Sequence, residues 1–154
     1  MKKLSTLALF LIGFSAVAQI TSVTNLNEAK SIATLENKTI MIVFSGSDWC
    51  VPCMRLEKEI LSQPEFENFE AKKIVLLKAD FPTRSKNKKL ISQAQQDYNA
   101  KLFEKYNPKG IFPLVVLLNS DAKVIAETGY KNMSSGAYAS YINDLVASKD
   151  TQVY

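Results

Sequence analysis

Residues 40–44 form an uninterrupted apolar run of strand length, Ile-Met-Ile-Val-Phe. A strand without alternating polar positions is buried on both faces, and such strands lie inside sheets that helices cover. Two later segments, 74–81 and 113–118, contain similar apolar runs. The chain is therefore predicted to form a helix-covered sheet rather than a helical bundle or a half-exposed sheet.

Amphipathic segments separate these strands. Apolar residues recur three and four positions apart, the spacing of one helix face, in four segments: 26–35, 53–61, 91–106 and 138–146. Because helices connect the first three strands, we predict that these strands pair in parallel. The short turn at 119–122 predicts that a fourth strand, 123–128, pairs antiparallel with the third. The result is an α/β domain with a central mixed sheet flanked by helices.

Between the second helix and the second strand, Gln63-Pro64 is predicted to end the helix. Phe66 and Phe69 follow, and we interpret them as part of a short helical turn that packs back on the core.

The first 18 residues have the composition of a secretory signal peptide. Lys2 and Lys3 precede an apolar stretch that ends in Ala16-Val17-Ala18, and small residues in this spacing are typical of a cleavage site. The stretch is about 15 residues long, whereas a membrane-spanning helix requires roughly 20. We predict cleavage after Ala18, which leaves residues 19–154 as one periplasmic or secreted domain without stable membrane insertion.

Charge and composition exclude several classes of function. Cleavage would remove two Lys and lower the formal net charge from +4 to +2, which gives no support to nucleic-acid binding. The chain contains no His, so catalysis that depends on an imidazole is excluded. Its five glycines are scattered, and no phosphate-binding glycine-rich motif can be written.

Cys50 and Cys53, the only two cysteines, lie where the first strand passes into a helix. Unpaired backbone N–H groups at a helix N-terminus stabilise a thiolate, which is the nucleophilic form of cysteine. Cys50 is predicted to be the exposed nucleophile. Cys53, one turn further along, is predicted to be the more buried cysteine that resolves a mixed disulfide. Thiol–disulfide exchange is the chemistry that this arrangement favours.

Two other interpretations of the pair stay open. A structural disulfide would close a very small loop and add little stability. A zinc site requires four nitrogen or sulfur ligands, which this chain does not offer, but Cu(I) accepts two thiolates, and Met54 is a nearby thioether. A non-catalytic Cu(I)-binding or redox-sensing carrier is therefore the alternative function.

Residues 47–53, Ser-Asp-Trp-Cys-Val-Pro-Cys, resemble the active-site stretch of thioredoxin-like proteins, especially an exported bacterial subgroup. The resemblance covers residues 26–145. It implies a thioredoxin-like fold and an enzyme, a thiol–disulfide oxidoreductase that contributes to cell redox homeostasis. It further implies protein substrates with disulfides and an upstream redox partner in the membrane. We expect a monomer that needs no metal and no bound cofactor.

The same resemblance implies which residues contact the substrate. Residues 110–113, Gly-Ile-Phe-Pro, are similar to the segment that holds the family's cis-proline, which corresponds to Pro113 and follows Phe112. Gly129 resembles a glycine that lines the same surface. Trp49 has two compatible interpretations: an apolar plug at the edge of the motif, or a flat surface that holds substrate.

The family's buried acid on the strand before the motif is missing, because Val43 and Phe44 occupy the corresponding positions. For proton transfer at the resolving sulfur, Glu57, Lys78 and water stay open as candidates. Asp48 is interpreted as an exposed or capping residue, with proton transfer as its alternative role.

The polar connection at 82–89 carries four cations, Arg84, Lys86, Lys88 and Lys89. It is interpreted as a solvated loop or as a determinant of partner choice.

The dipeptide between the cysteines, Val51-Pro52, suggests the direction of the reaction. Strongly oxidising relatives resemble a C-x-H-C pattern in which His stabilises the thiolate. This dipeptide supplies no such group, so the reduced pair gains less stability, and the reducing direction is favoured over the oxidising one, with isomerase activity between them.

Overall fold

The computed structural model describes residues 23–150, and the predicted signal peptide at 1–18 lies outside the described residues. Within this part of the chain, four strands form one sheet: β1 Thr39–Ser45, β2 Ile74–Asp80, β3 Leu114–Leu118 and β4 Val124–Thr128. Their spatial order is β2-β1-β3-β4. β1 therefore lies inside the sheet, as its uninterrupted apolar run predicts.

Helices cover both faces of this sheet. They are α1 Leu26–Glu36, α2 Val51–Arg55, α3 Pro64–Lys73, α4 Ser85–Lys88, α5 Gln93–Tyr106 and α6 Ser135–Asp150. A π-helical turn, Leu56–Leu61, continues directly from α2. None of the helices within residues 23–150 is both long enough and apolar enough to cross a membrane.

The strand directions agree with the sequence in part. β1 pairs parallel with β2, and β3 pairs antiparallel with β4, which confirms those two predictions. The prediction that the third strand is parallel to the first two is wrong, because β3 is antiparallel to β1. Near the carboxyl end of β1, Phe44 is the partner both of Ala79 in β2 and of Leu114, the first residue of β3. The chain thus begins β3 at the same end of the sheet at which it left β2. A parallel β3 would require α5 to return the chain to the opposite end, which it does not do.

β1 contributes alternate side chains to two apolar layers, one on each face of the sheet. Ile40, Ile42 and Phe44 pack in one cluster with residues of α1 and α5. Met41 and Val43 pack in the other cluster with residues of the π-helical turn, α3 and α6. All five are 3% exposed or less, so the strand that leads to the cysteines is held on both sides. The domain has the predicted fold class, a central mixed sheet flanked by helices.

The segment after Gln63-Pro64 is longer than a single turn. Pro64 is the first residue of α3, a ten-residue helix in which Phe66 is fully buried. Proline is favoured at the first helical position, where its missing N–H has no intrahelical partner. The preceding π-helical turn already ends at Leu61, and Pro64 begins the next helix.

Candidate active site

The cysteine pair lies at the junction between β1 and α2. β1 ends at Ser45, and a tight turn follows in which the backbone amide of Cys50 donates to the Gly46 carbonyl at 2.9 Å. Cys50 is the N-cap of α2, and its Sγ accepts a hydrogen bond from the Cys53 amide at 3.2 Å. The sulfur thus lies where the free N–H groups of the helix favour negative charge, as the sequence predicts.

Cys50 and Cys53 are joined in a disulfide, with an S–S distance of 2.03 Å and a Cα–Cα distance of 5.2 Å. The prediction that Cys50 is the exposed member is wrong for this oxidised state, because the residues are 5% and 4% exposed. The bond turns the Cys50 sulfur back over the first turn of α2, and the side chains of Trp49, Val51 and Met54 stand exposed around it. The disulfide therefore lies in an apolar rim rather than on a protruding tip.

Trp49 is held by three contacts although the residue is 45% exposed. Its Nε1 donates a hydrogen bond to the Phe81 carbonyl at 2.8 Å. Its ring lies against the backbone of Gly46 and meets the ring of Phe112 edge-on, with 5.1 Å between the centroids. The indole is therefore both a plug over the turn and a flat exposed surface, and the two interpretations from the sequence are compatible.

The peptide bond between Phe112 and Pro113 is cis, as the resemblance implies. The ring of Phe112 packs on those of Phe81 and Phe103, with centroid distances of 5.7 Å and 5.9 Å. Pro113 is buried directly before β3, and a Cβ added to Gly129 would lie 2.9 Å from the Pro113 carbonyl oxygen.

Contacts thus run in an unbroken series from Trp49 through Phe112 and Pro113 to Gly129. The sequence predicts all four as substrate-contacting residues, and the structure brings them together at one end of the sheet, beside the cysteine pair.

Asp48 makes the most hydrogen bonds of any residue in the motif. Its carboxylate accepts from the backbone amides of Thr83 and Arg84, each at 2.9 Å, and from the side chains of Thr83 at 3.2 Å and Asn87 at 2.9 Å. Desolvation raises the pKa of this carboxyl group, but the hydrogen bonds outweigh that effect and lower the pKa from 3.8 to about 2. Asp48 is therefore ionised at neutral pH and joins the active-site turn to the connection after β2.

A cavity of about 430 Å³ lies behind Cys53. Glu57 and Lys78 line it, and their side chains form an ion pair with 2.7 Å between Glu57 Oε1 and Lys78 Nζ. The two candidates for proton transfer at Cys53 therefore share one space with that residue. Each side chain is almost half exposed, so the ion pair contributes little to stability.

Asp80 also lines this cavity and was not identified from the sequence. It accepts hydrogen bonds from the Ser47 amide at 2.9 Å and the Ser47 hydroxyl at 2.6 Å, and so holds the turn before the cysteines. The sequence contains one indication that Asp80 lies near the cysteines. Asp80 ends a strand parallel to β1, and the carboxyl ends of parallel strands meet at one edge of a sheet.

Together these features define a class of protein, one with a redox disulfide at a strand–helix junction, beside a cis-proline, on a mixed sheet. The sequence profile described as thioredoxin-like matches residues 19–120, more than half of the chain. The chain therefore belongs to the thioredoxin-like family.

Individual relatives are disulfide oxidoreductases. The chain is 29% identical over 115 residues to "Disulfide bond reductase DsbH" of Chlamydia pneumoniae, and the alignment covers 75% of this chain and 66% of that protein. The chain thus spans just under two thirds of that relative's length. A solved structure of DsbH oxidoreductase is similar with a TM-score of 0.71 and 27% identity, covering 78% of this chain and 80% of the other.

A disulphide isomerase from Xylella fastidiosa Temecula1 has the same fold. Its structure is similar with a TM-score of 0.53 and 23% identity, covering 92% of this chain and 98% of the other. At this identity the likeness concerns the fold alone.

Proposed function

We propose that the chain is an exported thiol–disulfide oxidoreductase that reduces disulfides in other proteins. The observation that carries the proposal is the Cys50–Cys53 disulfide at the N-terminus of α2, where the Cys53 amide donates to the Cys50 sulfur. A hydrogen bond to the charged form and a helix N-terminus both favour a thiolate. The name of the Chlamydia pneumoniae relative supports the reducing direction.

In the proposed cycle, the reduced enzyme reacts in two steps. The Cys50 thiolate attacks one sulfur of a substrate disulfide, a Cys50–substrate bond forms, and the second substrate sulfur leaves as a thiolate that takes up a proton. Cys53 then loses its proton and attacks the Cys50 sulfur, which restores the Cys50–Cys53 bond and releases the first substrate thiol. The substrate gains two electrons and the enzyme loses two. A dithiol from an upstream redox partner must reduce the enzyme again.

The apolar rim and the series of contacts from Trp49 to Gly129 suit an extended substrate chain. Trp49 offers a flat exposed ring, and Pro113 lies directly before β3, where a substrate backbone can run beside the protein backbone. We therefore assign substrate contact to Trp49, Phe112, Pro113 and Gly129.

The place of action follows from the predicted leader. Cleavage after Ala18 would deliver residues 19–154 to the periplasm or the exterior, and the upstream dithiol would then be carried by a membrane protein. N-terminal sequencing of the exported protein tests this part of the proposal, which requires Gln19 as the first residue.

Insulin reduction tests the activity. The full chain should accelerate insulin reduction by dithiothreitol, and Cys50→Ser should abolish the acceleration. Cys53→Ser should instead accumulate a mixed disulfide with insulin, because attack proceeds but resolution does not; mass spectrometry detects this adduct. Stoichiometric Cu(I) retention without any turnover would contradict the proposal and favour the carrier function.

The reduction potential of the cysteine pair tests the direction. This potential is measured by equilibration in dithiothreitol buffers of known reduction potential, followed by alkylation and mass spectrometry. We expect a value of about −270 mV, as in thioredoxin, whereas a value of about −120 mV would identify an oxidant.

A further inference from the structure

We propose that the segment 82–89 is a docking surface for acidic polypeptides, and that it selects substrates whose disulfides lie close to Asp and Glu residues. This inference rests on the proposed function and names the class of substrate.

The segment is attached to the active-site turn. The Asp48 carboxylate, two residues before Cys50, accepts four hydrogen bonds from Thr83, Arg84 and Asn87. The next residue, Trp49, donates to the Phe81 carbonyl. Two consecutive residues of the motif thus hold the residue directly before the segment and three residues within it. Its position beside the disulfide is fixed by these contacts.

The segment carries a concentrated positive charge. Arg84, Lys86, Lys88 and Lys89 are all exposed, and within residues 23–150 no carboxylate forms an ion pair with any of them. Cleavage after Ala18 would leave a formal net charge of +2, so the four cations exceed the net charge of the exported chain, and the rest of that chain sums to −2. The segment 82–89 contains no Asp or Glu, so it is a purely basic stretch beside the disulfide.

Nearby carboxylates lower this positive charge without cancelling it, because in the described part of the chain none of them forms an ion pair with the four cations. Asp48 binds the backbone of the segment, Asp80 binds Ser47, and Glu57 pairs with Lys78. The positive charge is thus available to a partner, and a partner that complements it must be acidic.

Apolar surface adjoins the cations. Trp49 and Val51 are exposed next to the disulfide, Ile111 is exposed just before the cis-proline, and Leu90, at the end of the basic segment, is 81% exposed. A polypeptide with apolar residues around its disulfide and acidic residues further along fits both parts of this surface. Clustered charge of this kind raises association rates about 10- to 1000-fold and is screened by salt.

Matched cystine peptides test the proposal. Three peptides of equal length carry Asp and Glu, Ser only, or Lys around the same disulfide, and the reduced full chain reduces each at about 20 mM and about 500 mM salt. We expect the acidic peptide to react about tenfold faster than the Ser peptide at low salt, with a ratio near one at high salt. A ratio of one at both salt concentrations would overturn the proposal.

Two double variants with the same change in net charge locate the effect. Lys86→Glu with Lys88→Glu should bring the ratio of acidic to Ser peptide below one. Lys72→Glu with Lys73→Glu, at the end of α3 and the opposite edge of the sheet, should keep the wild-type ratio. If the second variant changes the ratio as much as the first, the effect belongs to overall charge and the docking surface is wrong.

A binding measurement separates this inference from the proposed activity. Trp49 is the only Trp, so its fluorescence reports on this site. Oxidised protein is titrated with the same peptides after their cysteines are replaced by serine, and only the acidic peptide should bind at low salt. Failure to reduce any peptide overturns the proposed function, whereas equal titration by acidic and Lys peptides overturns the docking surface alone.

Discussion

The indole ring of Trp49 occupies the space where a side chain at Gly46 would lie. A Cβ added to Gly46 would be 2.2 Å from Trp49 Cε2, far inside contact distance. The ring is also held by its hydrogen bond to Phe81 and its contact with Phe112, so it cannot move away without losing both. Gly46 is therefore the residue that permits the tryptophan to cover the turn before the cysteines.

Gly46→Ala should displace the indole. We expect a loss of about 1–3 kcal/mol in the free energy of unfolding from overpacking and the broken hydrogen bond, measured by urea denaturation. The fluorescence of Trp49 should shift toward that of a solvated indole.

Gly136→Ala is the matched control for this change. A Cβ there meets only Glu65 Cβ, at 3.9 Å, and the position lies in α6. Alanine favours a helix, so this variant should keep or raise stability by up to about 1 kcal/mol. Equal destabilisation by both substitutions would contradict the packing argument.

Gly129→Ala should disturb the start of β3. The added Cβ would lie 2.9 Å from the backbone carbonyl oxygen of Pro113, which cannot rotate away as a side chain does. We expect a loss of about 1–3 kcal/mol in unfolding free energy and a higher KM for insulin, since the surface beside Pro113 is displaced. An unchanged KM in a folded variant would remove Gly129 from the substrate-contacting residues.

The stability of the protein should depend on Asp48 in acid. Hydrogen bonds hold the pKa of Asp48 at about 2 in the folded state, below its ordinary value of 3.8. A group with a depressed folded pKa stabilises the fold above its unfolded pKa and loses that contribution as the pH falls. Wild type should therefore exceed Asp48→Asn in stability at pH 5 to 7, and the difference should shrink between about pH 4 and pH 2.

Urea denaturation across this pH range measures the difference. Asp97→Asn is the control, since Asp97 is on the exposed side of α5 and accepts one side-chain hydrogen bond, from Gln93. A difference between wild type and Asp48→Asn that stays constant from pH 5 to pH 2 would show that protonation of Asp48 does not break the contacts to 83–87.

Glu57→Gln should slow the second chemical step. Cys53 must lose a proton before it attacks the mixed disulfide, and Glu57 is the carboxylate in the shared cavity that is paired only with Lys78 and Ser62. We expect release of substrate to slow by about tenfold, less than the 10²- to 10⁴-fold typical of an enclosed base, because the cavity is open to water. The pH midpoint of this step should rise.

Stopped-flow measurement of substrate release across pH tests this prediction. Glu59→Gln is the control, because Glu59 lies in the same π-helical turn but bonds Arg55 and Tyr130 on the surface. A midpoint that falls in Glu57→Gln would assign the effect to the unpaired Lys78 cation, which favours the Cys53 thiolate, and would remove Glu57 as the proton acceptor.

Local sequence patterns predict the helices and strands of this fold because buried positions are occupied by apolar residues. The apolar run at 40–44 indicates an internal strand, and the helix after Cys50 follows from the spacing of apolar residues. The direction of β3 could not be predicted in this way. It depends on where α5 ends relative to the sheet, which is set by packing of Phe103 against Phe44, Phe81 and Phe112 rather than by any local signal.

The candidate site is also predictable only in part, because some of its features depend on tertiary contacts. The cysteines, the proline and the tryptophan are recognisable because their chemistry requires those residue types. The roles of Asp48 and Asp80 arise from hydrogen bonds between residues more than 30 positions apart, and the only sequence signal for them is the position of Asp80 at the end of a strand parallel to β1. The burial of Cys50 was also missed, since it depends on the direction in which the disulfide turns the side chain.

Because β1 is hydrogen-bonded on both edges and packed on both faces, its amides should exchange with solvent only when the whole domain unfolds. The cysteines thus directly follow the least flexible strand of the molecule. The substrate must therefore make any conformational change that binding requires. We expect disulfides in loosely folded or partly unfolded polypeptides to be reduced before disulfides inside rigid domains.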